Sequence, residues 1–234
     1  MPDRARVVFV PGLLCDARLW HAQAEALKRL ADCWIADATR ADTMAGLARD
    51  LLADCPFERF SLAGLSMGGY VALEVMRQAP GRVERLALLD TSARADTPEQ
   101  SQKRRDFIAL AGRGRFLGVT DALLPALIHP SRLDDAALVA AVKAMAKEIG
   151  KDAFVRQERA IMSRADSRPL LPRIVCPTLV LCGREDALTP LERHEEIAAA
   201  VPGARLEVLD DCGHLSALER PAAVNAALAR WLAA

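Results

Sequence analysis

The chain has 234 residues, of which 52% are hydrophobic and 26% are charged. Because α/β domains of roughly 200–250 residues commonly form one unit, we expect a single domain with a sizeable buried core. The 31 basic residues balance the 31 acidic ones. A chain without net charge lacks the overall field that attracts nucleic acid or an anionic membrane surface, so these partners are not expected.

The six cysteines are scattered along the chain without CxxC spacing. This pattern favours reduced core thiols over a disulfide framework or a zinc site. The first residues carry no apolar signal segment, and no run reaches the roughly 18 apolar residues of a membrane span. We therefore expect a cytoplasmic protein without a metal site.

The first ninety residues alternate between short apolar runs and segments with helical spacing of apolar residues. Strands are predicted over residues 6–10, 33–37, 60–64 and 83–89, and helices over residues 19–30, 44–52 and 70–77. Such alternation is typical of βαβ units, in which helices connect the strands of a parallel sheet. The fold class predicted for this part of the chain is therefore α/β.

The alternation stops after the fourth strand. Only helices are predicted between residues 93 and 168, over 100–110, 119–128, 134–149 and 153–163. Strands return at 178–181 and 205–209, with helices over 191–200 and 222–232. We interpret residues 1–92 and 169–234 as one α/β core. Residues 93–168 are then a helical cap insert over the carboxyl ends of the strands, where open α/β sheets bind ligands.

The most informative motif is Gly64-Leu65-Ser66-Met67-Gly68-Gly69, between a predicted strand and a predicted helix. A serine on such a strained turn exposes its hydroxyl above the sheet, and glycines are needed because the backbone packs closely there. The helix N-terminus also supplies free N–H groups. We interpret Ser66 as a nucleophile, the alternative being a turn that only lets a helix approach a strand.

The whole chain resembles the α/β-hydrolase superfamily, and within it small bacterial carboxylesterases of the pimeloyl-carrier-protein methyl ester esterase type. The resemblance is carried by residues 11–20 and by the runs GLSMGGYVALE, GREDALTP and CGHLSALERP. It implies the α/β-hydrolase fold. Larger members begin with an antiparallel hairpin for which this chain has no room, so we expect a reduced, mostly parallel sheet of about six strands flanked by helices.

A serine nucleophile needs a base, and four histidines are available. His214 follows the last predicted strand, at the edge of the sheet to which Ser66 points, and is the predicted base. His21 and His194 fall on helical segments and are interpreted as surface or capping residues. His129 lies in the insert and is a weaker candidate to face the pocket.

The imidazole in turn needs an acceptor that fixes its tautomer. Asp186 follows the strand at residues 178–181, where the resembling family carries its acid. The adjacent Glu185 is easily confused with it. Asp90 is the main alternative, because some hydrolases carry the acid after the strand that here ends at Leu89.

Two backbone N–H groups are candidates for an oxyanion hole. The Met67 N–H follows the nucleophile, and the resemblance implies that the second donor comes from the loop Pro11-Gly12-Leu13, through the Leu13 N–H. Many relatives have His-Gly where this chain has Pro11-Gly12, but the exchange removes a side chain and not the donated N–H. The alternative is an ordinary turn at the end of a strand.

These features predict a serine hydrolase that cleaves a small or medium acyl ester or thioester through an acyl-enzyme. A triad-bearing C–C hydrolase, lyase or perhydrolase of the same fold is one alternative, and a non-catalytic small-molecule-binding protein is another. The apolar insert suits an acyl chain. Lys103-Arg104-Arg105 is interpreted as a solvated helical face, with docking of an acyl-carrier substrate as a minor possibility. No metal or organic cofactor is implied.

Overall fold

The computed structural model describes residues 4–114 and 116–233, which fold around a six-stranded sheet. All neighbouring strands pair in parallel, in the order β2-β1-β3-β4-β5-β6. The predicted six-stranded sheet is thus confirmed. The strands are β1 (Ala5–Val10), β2 (Ala31–Ile35), β3 (Phe60–Leu65), β4 (Val83–Leu89), β5 (Thr178–Gly183) and β6 (Arg205–Leu209).

The central strands form because they are largely apolar and buried on both faces, as is usual in parallel sheets. Every residue of β3 and β5 is buried, whereas the edge strands β2 and β6 are only partly buried. The chain passes from β1 to β2 on one side and then returns to β3 on the other. Such a reversal leaves a crevice at the carboxyl ends of β1 and β3, where ligands bind in open α/β sheets.

Helices cover both faces of the sheet. They are α1 (His21–Leu27), α2 (Met44–Asp54), α3 (Met67–Gln78), α4 (Pro98–Arg113), α5 (Leu124–Leu127), α6 (Ala136–Met162), α7 (Leu191–Ala200), α8 (Ser216–Glu219) and α9 (Pro221–Ala233). Alternate side chains of β1 enter two separate apolar cores. Val8 and Val10 pack with residues of α2, α3 and α7, while Val7 and Phe9 pack with residues of α1 and α9.

Helices α4, α5 and α6 lie between β4 and β5 in the chain. A capping box of Thr97 and Gln100 begins α4. Helix α6 is broken at Gly150, where φ is 74° and ψ is 175°, so the two helices predicted on either side of this residue remain distinct.

The helix predicted over 119–128 was too long. Only α5 forms, because Pro125 has no N–H with which to continue a helix from upstream.

Within the described residues, no helix has both the length and the apolar character needed to cross a membrane.

Candidate active site

Ser66 lies on a sharp turn between β3 and α3. Its backbone has φ 55° and ψ −116°, a left-handed conformation that persists only when the surroundings enforce it. The Ser66 N–H donates to the Leu89 carbonyl at 2.9 Å, and the Thr91 hydroxyl donates to the Ser66 carbonyl at 2.8 Å. The end of β4 thereby holds both sides of the strained residue.

The glycines around Ser66 allow the backbone to pack closely. A Cβ atom at Gly64 would lie 2.2 Å from the Gly68 carbonyl oxygen, and one at Gly68 would lie 2.1 Å from the Val10 oxygen. No side chain fits at either position. Helix α3 can therefore begin directly against β1 and β3, as the motif predicted.

The three side chains predicted as nucleophile, base and acid meet in one hydrogen-bonded relay. The Ser66 Oγ lies 2.8 Å from His214 Nε2, and His214 Nδ1 lies 2.8 Å from Asp186 Oδ2. The residues follow β3, β6 and β5, whose carboxyl ends share one edge of the sheet. Asp186 and His214 are each only 3% exposed. The separations are those required for direct proton transfer.

Asp186 is held as a carboxylate by several donors. It accepts hydrogen bonds from the Leu188 and Thr189 N–H groups and, at 2.6 Å, from the Thr189 hydroxyl. Burial works to raise its pKa, but the charge of His214 and the hydrogen bonds from His214 and Thr189 outweigh it and hold the pKa below the usual value. Glu185 points elsewhere and accepts the Cys212 N–H.

His214 has the opposite balance. Its burial works to lower the pKa of the imidazole, but the charge and hydrogen bond of Asp186 together raise that pKa above the usual value. A raised pKa means that the surroundings favour the imidazolium form. The pair therefore suits a base that becomes positively charged during a reaction.

Asp90, the alternative acid, is fully buried but makes different contacts. Its carboxylate accepts the Gly183 N–H at 3.1 Å, the Ser216 N–H at 3.2 Å and the Ser216 hydroxyl at 2.5 Å. Burial, reinforced by the nearby charge of Asp186, raises its pKa well above the usual value. Asp90 thus joins the end of β5 to the loop of the histidine, whereas Asp186 bonds to the imidazole itself.

The backbone around His214 is fixed by Glu219, a residue that the sequence analysis did not single out. The Glu219 carboxylate accepts the N–H groups of His129, Gly213 and Leu215 at 2.7–3.2 Å. It is only 2% exposed. An acidic residue inside the apolar run after His214 was the available signal, since a buried carboxylate needs several donors.

The interpretation of His194 as a surface or capping residue was wrong. Its side chain is fully buried, and Nε2 accepts the Thr91 N–H at 2.8 Å. Burial is the main cause that lowers the pKa of His194 to about 4, so the ring is neutral. Its spacing from the buried residues Ile197 and Val201 could have placed it on the inner face of α7.

The rings of the remaining histidines make no hydrogen bond to the relay, although the His129 N–H shares the Glu219 carboxylate with Gly213. His21 is exposed at the start of α1, in keeping with its interpretation as a surface residue. His129 is partly exposed, and its Nδ1 pairs with the Ser131 hydroxyl at 2.7 Å. Neither ring is hydrogen-bonded to Ser66, His214 or Asp186.

The loop after β1 lies against the nucleophile turn. A Cβ atom at Gly12 would lie 3.4 Å from the Ser66 Cβ. The Cys15 N–H donates to the Gly12 carbonyl at 3.1 Å and closes a turn that contains Leu13. Met67 is the first residue of α3, so its N–H has no acceptor within the helix. The two predicted oxyanion donors thus belong to segments that flank Ser66.

The basic run at residues 103–105 is not uniformly solvated. Lys103 and Arg105 are exposed, but the Arg104 side chain is only 21% exposed. Its guanidinium donates to Asp96 and to Glu158, each at 2.8 Å, and both carboxylates are buried. The expected solvated face is therefore corrected at Arg104, which is used inside the fold.

All six cysteines are free thiols. Cys33 and Cys176 are partly buried, and the other four are buried. In the part of the chain that the structure describes, no group of three or more His, Cys, Asp and Glu side chains is arranged to hold a metal ion.

Comparisons with known proteins agree with this architecture. A 210-residue alignment is 30% identical to a pimeloyl-[acyl-carrier protein] methyl ester esterase of Aromatoleum aromaticum and covers 78% of this chain and 77% of that protein. RutD of Yersinia enterocolitica, provisionally named a carbamate hydrolase, is 27% identical, and the match covers 99% of this chain and 88% of RutD.

A solved structure of a thermophilic esterase from Thermogutta terrifontis, with malate bound, superposes with a TM-score of 0.90. It is 30% identical, and the match covers 98% of this chain and 89% of the esterase. The sequence profile of the alpha/beta hydrolase family matches residues 7–227. A match over nearly the whole length, together with the parallel sheet, identifies this chain as a member of the alpha/beta hydrolase family.

Proposed function

We propose that this chain is a serine hydrolase that cleaves small or medium acyl esters or thioesters through an acyl-enzyme. The observation that carries the proposal is the continuous relay Ser66–His214–Asp186, with 2.8 Å at each junction. A serine hydroxyl hydrogen-bonded to an imidazole, which is itself oriented by a buried carboxylate, is the arrangement that activates serine for attack on a carbonyl.

In the proposed reaction, the Ser66 Oγ attacks the carbonyl carbon while His214 Nε2 takes the hydroxyl proton. Asp186 stabilises the imidazolium that forms. The imidazolium then gives its proton to the leaving alcohol or thiol, and the acyl group stays on Ser66. A water molecule, deprotonated by His214, attacks the acyl-enzyme; the imidazolium then returns its proton to the Ser66 Oγ as the acid leaves. General base catalysis of this kind contributes roughly 10²–10⁴-fold.

The Leu13 and Met67 N–H groups are the proposed donors to the oxyanion of each tetrahedral intermediate. They belong to the segments packed on either side of Ser66, and a Cβ atom added at Gly12 would lie 3.4 Å from the Ser66 Cβ. Each such donor lowers the barrier by about 3 kcal/mol. We also propose that residues 93–168 act as a cap above this edge of the sheet.

The names of the relatives favour an ester as the substrate. A methyl ester esterase and a thermophilic esterase are each 30% identical to this chain. A carbamate, named for RutD, would use the same attack on a carbonyl but would leave a less reactive carbamoyl-enzyme. Esters are therefore the proposed class, and an aryl carbamate is the appropriate comparison substrate.

A fluorophosphonate probe and a p-nitrophenyl ester series from acetate to decanoate test this proposal directly. We expect the wild-type protein to be labelled and to hydrolyse the shorter esters, and we expect Ser66→Ala to lose both properties while it stays folded. The chain length at which kcat/KM falls would measure the depth of the acyl pocket. Folded wild-type protein that neither reacts with the probe nor cleaves any ester would contradict the proposal.

A further inference from the structure

A buried amide of the helical insert reaches the loop that carries one proposed oxyanion donor. Gln157 lies in α6 and is fully buried. Its Oε1 accepts the Leu14 N–H at 3.1 Å, and its Nε2 donates to the Ala38 carbonyl at 3.0 Å. Both ends of the amide are thus satisfied, one by the loop after β1 and the other by the loop after β2.

The residue that Gln157 holds has an unusual backbone. Leu14 has φ 59°, in the left-handed region that branched side chains avoid. Such a conformation persists only where neighbouring groups enforce it. The hydrogen bond from Leu14 to Gln157 is one such constraint, and it originates 143 residues further along the chain.

The orientation of the Leu13 N–H depends on this turn. The Cys15 N–H donates to the Gly12 carbonyl across Leu13 and Leu14. Because a trans peptide is planar, its C=O and N–H point in opposite directions. The hydrogen bond to the Gly12 oxygen therefore also sets the direction of the Leu13 N–H, as long as Leu14 keeps its left-handed conformation.

We propose that Gln157 is a positioning residue for the oxyanion loop. By holding the Leu14 N–H it keeps the turn in the form that directs the Leu13 N–H toward the reacting carbonyl oxygen. This inference rests on the proposed function and extends it. The insert then contributes to the rate of the chemical step as well as to enclosure of the substrate.

Two neighbouring residues of α6 provide a matched comparison. Gln157→Met keeps the length of the side chain but removes both hydrogen bonds. Arg156→Met is the control, because the Arg156 Nε donates at 2.7 Å to the Thr39 carbonyl, in the same loop that Gln157 reaches through Ala38. The control breaks a link between the insert and the core without touching the loop after β1.

We expect Gln157→Met to lower kcat for p-nitrophenyl acetate about 10–100-fold, with KM changed less than about threefold. Misdirecting an oxyanion donor should cost somewhat less than the 10²–10³-fold seen when a donor is removed. Arg156→Met should stay within about threefold of wild type.

Hydrogen exchange, followed by mass spectrometry on peptides that cover residues 11–20, tests the clamp without any turnover. Exchange should be faster in Gln157→Met than in Arg156→Met. Wild-type kcat retained in Gln157→Met, a change confined to KM, or an equal loss of kcat in Arg156→Met would each overturn the inference. A wild-type protein without esterase activity would instead refute the proposed function, and the exchange comparison would still show whether the clamp exists.

Discussion

Each residue of the relay is held by hydrogen bonds away from the atom that reacts in the proposed mechanism. The Ser66 backbone is bonded to Leu89 and Thr91, and His214 is bonded through Nδ1 to Asp186. Asp186 is in turn bonded to Thr189. In the proposed reaction, fixed partners of this kind would lower the reorganisation needed when substrate binds.

The two buried aspartates are expected to differ sharply on substitution. Asp186→Asn should lower kcat roughly 10⁴-fold, because an amide favours the wrong tautomer of the imidazole. Asp90→Asn should cost far less, because Asp90 bonds to Gly183 and Ser216 and not to the ring. Ester hydrolysis by the two folded variants is the measurement. A greater loss in Asp90→Asn than in Asp186→Asn would show that the acid is misassigned.

The pH profile supplies a second readout for the same pair of residues. The base must be neutral, and Asp186 raises the pKa of His214 above its usual value of 6.5. The kcat/KM of the wild type should therefore fall as the pH drops through that raised pKa. In Asp186→Asn the residual activity should persist to lower pH, because the charge that favours the imidazolium is gone. An unchanged acidic limb would contradict this electrostatic coupling.

At the scale of single elements, the close approach of α3 to β1 is the feature on which the position of Ser66 depends. A Cβ atom at Gly68 would lie 2.1 Å from the Val10 oxygen, which belongs to the backbone and cannot move aside as a side chain could. The strain can be relieved only if the helix shifts away from the strand. Such a shift would also displace Ser66, which lies two residues before Gly68.

Gly68→Ala should therefore destabilise the protein by about 3 kcal/mol or more and abolish activity in whatever fraction folds. Gly81→Ala is the matched control, since among the described residues nothing beyond its two chain neighbours lies within 4 Å of a Cβ at this exposed position, and its φ is not positive. The control should change the free energy of unfolding by less than about 0.5 kcal/mol. Urea unfolding of the two variants makes the comparison. Similar stabilities would show that α3 does not pack this closely against β1.

Local patterns in the sequence were sufficient to predict the sheet and the relay. Short runs rich in apolar residues predicted all six strands, although the second strand begins two residues earlier than expected. The positions of Ser66, Asp186 and His214 after three of the strands placed these residues at one edge. Parallel strands end at the same edge, so residues far apart in the chain could be brought together by topology alone.

The residues that support the relay could not be predicted in the same way. Glu219 and Gln157 act through backbone N–H groups, which carry no sequence signal, and Gln157 meets its partner across 143 residues. His194 was misplaced because a polar residue on a helix was taken as exposed, although its face is buried against Thr91. Tertiary packing decided all three. The local signals were limited to the spacing of His194 from Ile197 and Val201 and to the acidic Glu219 in an apolar run.

An ionic cluster links the helices of the insert to one another and to α3 of the core. Arg104 of α4 bonds to Asp96 and to Glu158 of α6. Arg164 bonds to the same Asp96 and lies 4.2 Å above the ring centre of Tyr70 in α3. Because Glu158 is buried, removal of the Arg104 guanidinium would leave its charge without compensation, and Asp96 would keep only Arg164.

Arg104→Met should consequently destabilise the protein by about 3 kcal/mol, within the range measured when one partner of a buried ion pair is removed. Arg105→Met, one residue further on and exposed, should change stability by less than about 0.5 kcal/mol. Thermal unfolding of the two variants at equal ionic strength separates the buried charge from its exposed neighbour. Equal stabilities would mean that the cluster is solvated, and the basic run would then be a free surface available to an acidic partner.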